Sequence, residues 1–350
     1  VTRSVFATTT GELDGPGVSL TTTDAGASID IDAGFFLQAG DLVSGGDITT
    51  DSGRRASLGT QDAQGSITAN AVGPGATYTS GLMTSGTGPI MVTSTETATI
   101  AGFNSGGSFE ATSTDGDVKI TEDGDSVGNT TLTSTLGSVN SQAITAGGDI
   151  DLNGHSSVVA GGLLMAGGAI TADTNTGFIL IGDAMAGNGI ALNSATSLTA
   201  GNLSATGGDI TTTSVDNTLT GTQTADTGSI TGTVTGAGSA YRSGALTTTP
   251  GAGNISVTST GTATIAGYSS GGTANVQSST GNVAITANST SVGAGTLTAT
   301  QGSVFATDTG TLGGGGVSVD TTGAGSLLDI DAGVFIKTGG RSCGRAIDTD

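Results

Sequence analysis

The sequence predicts an all-β fold, a right-handed parallel β-helix (β-solenoid) with coils of about 20 residues. Three observations lead to it: the composition, a motif that returns at a regular interval, and short runs in which apolar and polar residues alternate. Of 350 residues, 64 are glycine and 4 are proline, and aromatic residues make up 3%. Collagen would need abundant proline, and a conventional globular core would need more large rings. Many short strands with glycine-rich corners fit this composition better.

A motif of glycine, a small or polar residue and isoleucine recurs before short β-prone runs. Its spacing drifts along parts of the chain, which indicates insertions at corners, but five copies are in strict register. Three strands and three corners need about 20 residues, which is one coil of a parallel β-helix. At a strand spacing of about 4.8 Å, roughly 17 coils would form a rod roughly 80 Å long. The five isoleucines in strict register are Ile150, Ile170, Ile190, Ile210 and Ile230.

Within each repeat the apolar residues alternate with polar ones. Ile150 and Leu152, for example, alternate with Asp149 and Asp151, which places the two sets on opposite faces of a strand. One coil cannot bury its own apolar face, so the core must form between stacked coils. We expect glycine to supply corner conformations that other residues resist, and the narrow interior to favour small side chains. Residues 160–166 are the best helical candidate, but they are too short and glycine-flanked to form a helix.

A longer repeat overlies the short one. Residues 1–51 return without a gap as residues 300–350, with 27 of 51 positions identical, and residues 90–107 return as 255–272. The longer offset, from position 1 to position 300, is almost a multiple of the coil period, so we expect the duplicated block to keep the register of the coils. Whole coils can be added to a solenoid without disturbing the stack. The expectation is therefore a single continuous solenoid over residues 1–350, cut from a longer repetitive protein.

The repeats resemble the shaft of filamentous-haemagglutinin-type exoproteins, which are secreted by the two-partner route. The resemblance rests on Gly-Gly-Asp-Ile-Asp-Leu at 147–152, Gly-Gly-Asp-Ile-Thr-Thr at 45–50 and 207–212, and Gly-Ser-Ile-Thr-Ala at 65–69. The family implies a right-handed β-helix, export to the bacterial cell surface and a role in adhesion or contact. Its secretion domain carries Asn-Pro-Asn motifs, and none occurs here. The resemblance therefore points to the shaft and not to the secretion module.

Charge and cysteine content limit the classes of partner. The net charge of −21 repels nucleic acid and anionic membranes. Most acids are aspartates, which suit solvated corners because they bond to nearby backbone. Cys343 is the only cysteine, so no internal disulfide forms, and no apolar run is long enough to span a membrane. The expected partners are host-cell or matrix glycans or proteins, or neighbouring copies bound end to end.

Residues for catalysis are sparse, and we predict no catalytic, cofactor-binding or metal-binding residues. Carbohydrate-active β-helix enzymes would need clustered acid–base side chains on one outer sheet. This chain has one histidine, His155, in a sequence typical of a corner, and two lysines, Lys119 and Lys337. No histidine and cysteine set suitable for a metal can be assembled. The sequence therefore predicts a protein that is not an enzyme.

Four other features are open to more than one interpretation. The pairs Asp30/Asp32 and Asp329/Asp331 place two carboxylates outward, and the sequence leaves calcium binding open because calcium takes six or more oxygens. Threonine runs such as 211–213 raise an ice-binding hypothesis, although the residues after the in-register isoleucines are irregular. Two basic spots, Arg54–Arg55 and Arg341/Arg345, mark either contact surfaces or solvated corners. The single thiol, Cys343, either crosslinks chains or has no role.

The predicted function is a non-catalytic structural shaft of a secreted bacterial surface adhesin or extracellular fibre. The alternative is a self-assembling extracellular filament or sheath subunit, because cut solenoid ends expose unpaired strands. A carbohydrate-active β-helix enzyme and an ice-binding solenoid are weaker alternatives.

Overall fold

The fold was determined from a computed structural model, and all its regular elements in the described residues are β-strands. The chain divides into two compact units, Val1–Asn175 and Thr176–Asp350. Side chains are described within residues 4–305. The backbone is described for residues 4–9, 11–14, 18–249, 251, 253–287, 289–293, 296–308, 311–314, 318–321, 327–332, 335–336, 340–342 and 346–349.

Each coil contains up to three short strands, and each strand pairs in parallel with its equivalents in the adjacent coils. We call the strand that begins at the glycine–isoleucine motif the first strand, and the next two the second and third strands. In the coil that starts at Ile48 these are Ile48–Ser52, Arg55–Leu58 and Gln61–Ala63. Only two residues separate the first strand from the second, and the second from the third, so each corner is tight.

Unit 1 contains the following strands. The first strands are Val5–Thr9, Ile29–Ala33, Ile48–Ser52, Ile67–Ala71, Ile90–Ser94, Phe109–Ser113, Thr130–Ser134, Ile150–Gly154 and Ile170–Thr174. The second strands are Leu13–Asp14, Phe36–Ala39, Arg55–Leu58, Thr77–Ser80, Ala98–Ile100, Val118–Ile120, Ser138–Ser141 and Ser157–Ala160. The third strands are Leu20–Thr21, Leu42–Ser44, Gln61–Ala63, Met83–Ser85, Phe103–Ser105, Gly124–Ser126, Ile144–Ala146 and Leu164–Ala166.

In unit 2, two longer strands, Tyr241–Thr248 and Ala263–Ser270, span both the second and third positions. The first strands are Ile190–Ser194, Ile210–Ser214, Ile230–Val234, Ile255–Ser259, Ala274–Ser278, Thr296–Ala299, Ser318–Thr321 and Gly340–Ser342. The remaining second strands are Phe178–Ile181, Leu198–Ala200, Thr218–Thr220, Val283–Ile285, Val304–Asp308, Leu327–Ala332 and Ala346–Thr349. The remaining third strands are Ala184–Ala186, Leu203–Ala205, Gln223–Ala225, Ser289–Ser291, Thr311–Gly314 and Phe335–Ile336.

The motif isoleucines form buried ladders, as the register of the motif predicts. In unit 1, Ile48 pairs with Ile67 in the next coil. In unit 2, Ile190 pairs with Ile210, and Ile210 with Ile230. All five are at most 1% exposed, because the alternation of a strand turns every second residue inward. The prediction of a right-handed parallel β-solenoid with coils of about 20 residues is confirmed, with about 15 turns against the roughly 17 predicted.

The corner glycines have a different role from the expected one. Among described glycines, a positive φ occurs only at Gly26, Gly73, Gly75, Gly238 and Gly251. Most others sit where the backbone of the adjacent coil passes too close for a side chain. A Cβ on Gly53 would lie 2.2 Å from the Gly34 carbonyl oxygen, and one on Gly147 would lie 2.2 Å from the Val127 oxygen. Close coil stacking, more than unusual backbone conformation, therefore requires glycine here.

The interior also admits larger rings than expected. Phe103 and Phe109 are buried and stack with ring centroids 3.6 Å apart and planes 9° apart. The neighbour of Phe103 in the next coil is Gly124, where a Cβ would lie 2.1 Å from the Phe103 ring. The expected preference for small inward side chains therefore has an exception here, because an inward glycine in one coil leaves room for a ring in the adjacent coil.

Each unit also contains a buried tyrosine that is hydrogen-bonded to a glutamine of the preceding coil. Gln61 Nε2 donates to Tyr78 Oη at 2.5 Å, and Gln223 Nε2 donates to Tyr241 Oη at 2.7 Å. Both rings are fully buried. Burial raises the pKa of Tyr78 to about 12 and also raises the pKa of Tyr241. The core is thus not purely apolar at these two coils.

The two sequence repeats behave differently in the fold. Residues 90–94 and 255–259 both form first strands, so the shorter repeat keeps its place in the coil. Val5–Thr9 is a first strand, but its counterpart Val304–Asp308 is a second strand, which pairs with Val283–Ile285. The expectation that the longer duplication keeps the coil register is therefore wrong. Insertions lengthen several coils, so the offset between the two copies does not equal a whole number of coils.

Candidate functional site

The acidic pair Asp30 and Asp32 projects from the outer face of a first strand, as alternation predicts. Both side chains are exposed, and Asp32 is paired with Asp51 of the next coil. Asp51 accepts a hydrogen bond from Asn70 Nδ2 at 2.8 Å. Among the described side chains, no group of three or more His, Cys, Asp or Glu is arranged to hold a metal ion. The side chains of Asp329 and Asp331 lie outside the described residues.

His155 lies in the predicted corner, between Ile150–Gly154 and Ser157–Ala160. It is half-buried, and its Nδ1 atom is 3.5 Å from Asn175 Nδ2, one coil away. The backbone N–H of His155 donates to the Ser134 carbonyl, so the residue also joins the stack of corners.

Outward threonines line part of the first-strand face, but they do not form a continuous array. Thr213, Thr233 and Thr258 are aligned in three successive coils of unit 2, and the next aligned residue is Gln277. In unit 1 the equivalent column changes from Asp51 to Asn70 and then to threonine. This irregularity agrees with the one seen in the sequence.

Aspartate and asparagine side chains form a capping ladder between coils. Asp149 Oδ1 accepts the backbone N–H of Ala169 at 2.7 Å, and Asp47 Oδ1 accepts that of Ser66 at 2.7 Å. Both acids belong to the Gly-Gly-Asp-Ile motif, so the motif couples one coil to the next. Residues that cap the following coil in this way are Asp41, Asp47, Asp117, Asp123, Asn129, Asp149, Asp183, Asn202, Asp209, Asn217, Asn254, Asn275 and Asn282.

These contacts also affect the ionisation of the acids. The backbone N–H of Thr60 lowers the pKa of Asp41, because it stabilises the carboxylate. Burial favours the neutral form of Asp117, but the Ser138 N–H and the Lys119 ammonium outweigh it and lower the pKa of Asp117. Lys119 Nζ lies 3.0 Å from Asp117 Oδ2 in an ion pair. Corner acids thus serve coil stacking, which supports the interpretation that they are solvated turn residues.

A second corner device was missed from the sequence. The fifth residue of many first strands is a buried serine whose hydroxyl contacts corner carbonyl oxygens, as Ser52 Oγ does with Arg55 O at 2.9 Å. Serine favours such local bonds to backbone. The sequence does contain a signal for it, because a serine recurs four residues after the residue that begins the first strand. Members of this set are Ser52, Ser94, Ser113, Ser134, Ser194, Ser214, Ser259 and Ser278.

The most distinctive surface feature combines cations with aromatic rings at a corner of unit 1. The Arg54 guanidinium carbon lies 4.7 Å from the centroid of the Phe35 ring, within range of a cation–π contact. Phe35 in turn meets Phe36 edge to face, with centroids 5.5 Å apart. The backbone N–H of Arg54 donates to the backbone carbonyl of Phe35 at 2.9 Å, which holds the two corners together beneath the cation–π pair.

Beside this corner, a depression of about 220 Å³ opens on the second-strand face. Arg55 is paired with Phe36 of the preceding coil, and Ser57 is paired with Gln38. Arg55, Gln38 and Glu12 are exposed, and Phe36 is half-buried. We call this feature the Arg55 depression; Glu12, Phe36, Leu37, Gln38, Arg55 and Ser57 line it.

Sequence reasoning singled out Arg54–Arg55 but not their aromatic neighbours. The coil period could have revealed these neighbours. Phe35 and Arg54 are about one coil apart in the sequence, and residues one coil apart lie next to each other in the stack. The Arg341 side chain, Arg345, Lys337 and Cys343 lie outside the described residues, so the predictions on them are untested. In the described part of the chain, no helix is present that could cross a membrane.

Comparison with known proteins gave no relative. No protein family, no curated protein and no solved structure matches this chain. The fold and its surface therefore carry the functional argument.

Proposed function

We propose that the chain is a non-catalytic structural shaft of a secreted bacterial surface adhesin or extracellular fibre. The observation that carries this proposal is the capping ladder, in which polar side chains bond one coil to the next. In the Gly-Gly-Asp-Ile motif, the glycine permits close stacking and the aspartate caps the neighbouring coil. The most characteristic motif of the sequence thus serves the stack itself.

Further support comes from the side chains that face outward. Cations are few, and Lys119 is engaged with Asp117. An acidic, hydrogen-bonded surface suits a long particle that must stay soluble and avoid association with nucleic acid or anionic membranes. The resemblance of the repeats to filamentous-haemagglutinin-type shafts supports a location on the bacterial cell surface.

Electron microscopy of the purified chain tests the shaft. We expect unbranched rods of uniform width that do not lengthen as protein concentration rises. Compact beads would overturn the shaft proposal. Rods that grow end to end in dilute buffer would replace it with the alternative, a self-assembling filament subunit.

Exposure on the cell surface needs a separate test. Antibodies against residues 48–248 should label intact cells that express the parent protein, and protease added outside should remove the label. Labelling that appears only after lysis would contradict secretion, whatever the shape of the purified chain.

A further inference from the structure

The geometry points to a binding site for one carboxylated sugar ring, of the uronic acid type, in the Arg55 depression. This ligand goes beyond the proposed shaft function, which needs no small-molecule site, and rests on it only for the extracellular setting. Four properties of the depression support this ligand: an arginine available for an anion, an adjacent ring, flanking polar groups and limited volume.

The first property is the arginine. Among the described residues, neither Arg54 nor Arg55 takes part in a salt bridge, whereas Lys119 does. Arg54 is held against Phe35, and Arg55 begins the strand Arg55–Leu58 with its side chain exposed at the depression. A guanidinium presents a planar pair of donors that matches a carboxylate. The chain as a whole, with a net charge of −21, repels anions, but the positive charge of Arg54 and Arg55 attracts an anion at this position.

The second property is the aromatic ring directly beside the arginine. Phe36 is paired with Arg55 across adjacent second strands, so the ring and the guanidinium share one column of outward side chains. The edge-to-face contact with Phe35 fixes the Phe36 ring. The face of an aromatic ring carries negative potential and attracts the polarised C–H groups of a sugar ring. An aliphatic carboxylate would not use this surface as well.

Polar neighbours then discriminate among anions. Gln38 and Ser57, paired in the next column, offer donors and acceptors for sugar hydroxyls. Glu12 lines the same depression; it accepts hydroxyl hydrogen bonds but repels a second negative charge. One carboxylate with several hydroxyls fits this set, and a polyphosphate or an acidic peptide does not.

The volume supports a single ring. At about 220 Å³, the depression is smaller than the pockets that hold drug-sized ligands, which start at roughly 300 Å³. It therefore suits one terminal or side-branch residue of a glycan, held weakly unless several copies of the site act together.

The test uses ligand-detected NMR and calorimetry on the full chain with methyl glycosides of glucuronic and galacturonic acid. Their neutral counterparts, glucose and galactose methyl glycosides, serve as controls for the carboxylate. We expect the uronosides to bind at least about tenfold more tightly, because a lost hydrogen bond to a charged group costs about 1.5–3 kcal/mol. Arg55→Gln and Phe36→Leu should each weaken uronoside binding by about tenfold or more.

Matched controls come from two other cations. Arg242 is exposed and lines a depression with Leu219 and Asn217 but no ring, and Lys119 is a half-buried lysine in an ion pair. Arg242→Gln and Lys119→Gln should leave uronoside binding unchanged, and circular dichroism should show that all variants fold.

Three outcomes would overturn the site: no uronoside binding at millimolar concentration, equal binding of the neutral glycosides, or equal losses in the Arg242→Gln control. Competition by an oligoglutamate peptide as strong as that by uronosides would instead assign the depression to acidic protein segments. None of these failures changes the rods expected by electron microscopy, so each is distinguishable from failure of the proposed function.

Discussion

Two of the three buried tyrosines, Tyr78 and Tyr241, occupy equivalent places in their units, but their surroundings differ. Tyr78 and Tyr241 each follow, by nine residues, the inward middle position of a first strand, which is Ala69 in unit 1 and Gly232 in unit 2. A Cβ on Gly232 would lie 2.3 Å from Tyr241 Cε2. Unit 1 therefore carries a methyl group at the position where unit 2 has none, and in unit 2 the Tyr241 ring occupies the space that this methyl group would need.

The polar partners differ as well. Tyr78 Oη accepts from Gln61 and donates to the Met83 sulfur at 3.9 Å. In unit 2, Gln223 Nε2 contacts both Tyr241 Oη and Thr220 Oγ1, the latter at 2.9 Å. A narrow apolar interior thus tolerates a phenol in two ways: with a soft sulfur acceptor, or with an added hydroxyl and a glycine. The two units should respond differently to the same substitution.

The largest expected difference in stability between the two units comes from substitution at Gly232 and at its counterpart Ala69. Gly232→Ala should destabilise the surrounding coils by about 3 kcal/mol, because the added methyl group overpacks a buried ring. The reverse change, Ala69→Gly, should cost only about 1 kcal/mol, chiefly through backbone entropy. Solenoids do not unfold in two states, so hydrogen exchange in urea, resolved on peptides covering 67–85 and 230–248, is the appropriate measurement.

A double substitution checks the cause of that loss. In a Tyr241→Leu background the ring is absent, and Gly232→Ala should then cost clearly less than it does alone. An equal cost in both backgrounds would mean that the glycine serves the neighbouring backbone and not the tyrosine.

The next contrast concerns the phenol oxygen. Tyr78→Phe removes the described partner of Gln61 Nε2 and should cost about 2 kcal/mol, because a buried donor is left unsatisfied. Tyr241→Phe should cost about 1 kcal/mol, because Gln223 keeps its bond to Thr220. The same peptides report both losses by hydrogen exchange. Adding Gln61→Leu to Tyr78→Phe should restore most of the stability; a further loss would show that Gln61 is held by other contacts.

The sequence was sufficient for the fold but not for these interior networks. The motif register predicted the isoleucine ladder because apolar residues at a fixed interval have one stable arrangement. Gln61 and Tyr78 gave no such signal, since a polar residue at an inward position contradicts the pattern that defines the strand. Gly232 gave no signal either, because its role depends on the Tyr241 ring nine residues later, which occupies the space that a Cβ on Gly232 would need.

The surface was predictable in part for a similar reason. Aspartate at corners follows from its own backbone chemistry, so acids were anticipated at solvated corners, although Asp149 itself was assigned to the outer face of a strand. The Arg55 depression combines side chains from three coils, and insertions make the interval between coils irregular. Without the exact coil lengths, the sequence does not show that Glu12, Phe36 and Arg55 share one column.

The smallest contrast appears at alkaline pH and tests whether both phenols are as buried as the fold requires. The folded pKa of Tyr78 is raised to about 12 from the ordinary value of 10, and that of Tyr241 is raised as well. A raised pKa means that the unfolded chain loses its proton first, so the stabilisation is complete below pH 10 and is lost as pH rises towards 12. At pH 11 the loss for Tyr78 should be about 1 kcal/mol. Tyrosinate absorbance between pH 9 and pH 12, recorded on the folded chain and on the urea-unfolded chain, gives the difference in pKa from which this loss follows.

Tyr78→Phe should remove the share of the pH dependence that comes from Tyr78 and leave the share that comes from Tyr241, and Tyr241→Phe should do the reverse. Titration of all tyrosines near pH 10 in the folded chain would contradict the buried networks in both units. If only one of the two phenols titrates near pH 10, that phenol is exposed to solvent in the folded chain, and the coils around it are open. Because the Gln61 and Gln223 amides face the phenols from the preceding coil, such a result would also mean that coil-to-coil stacking opens there.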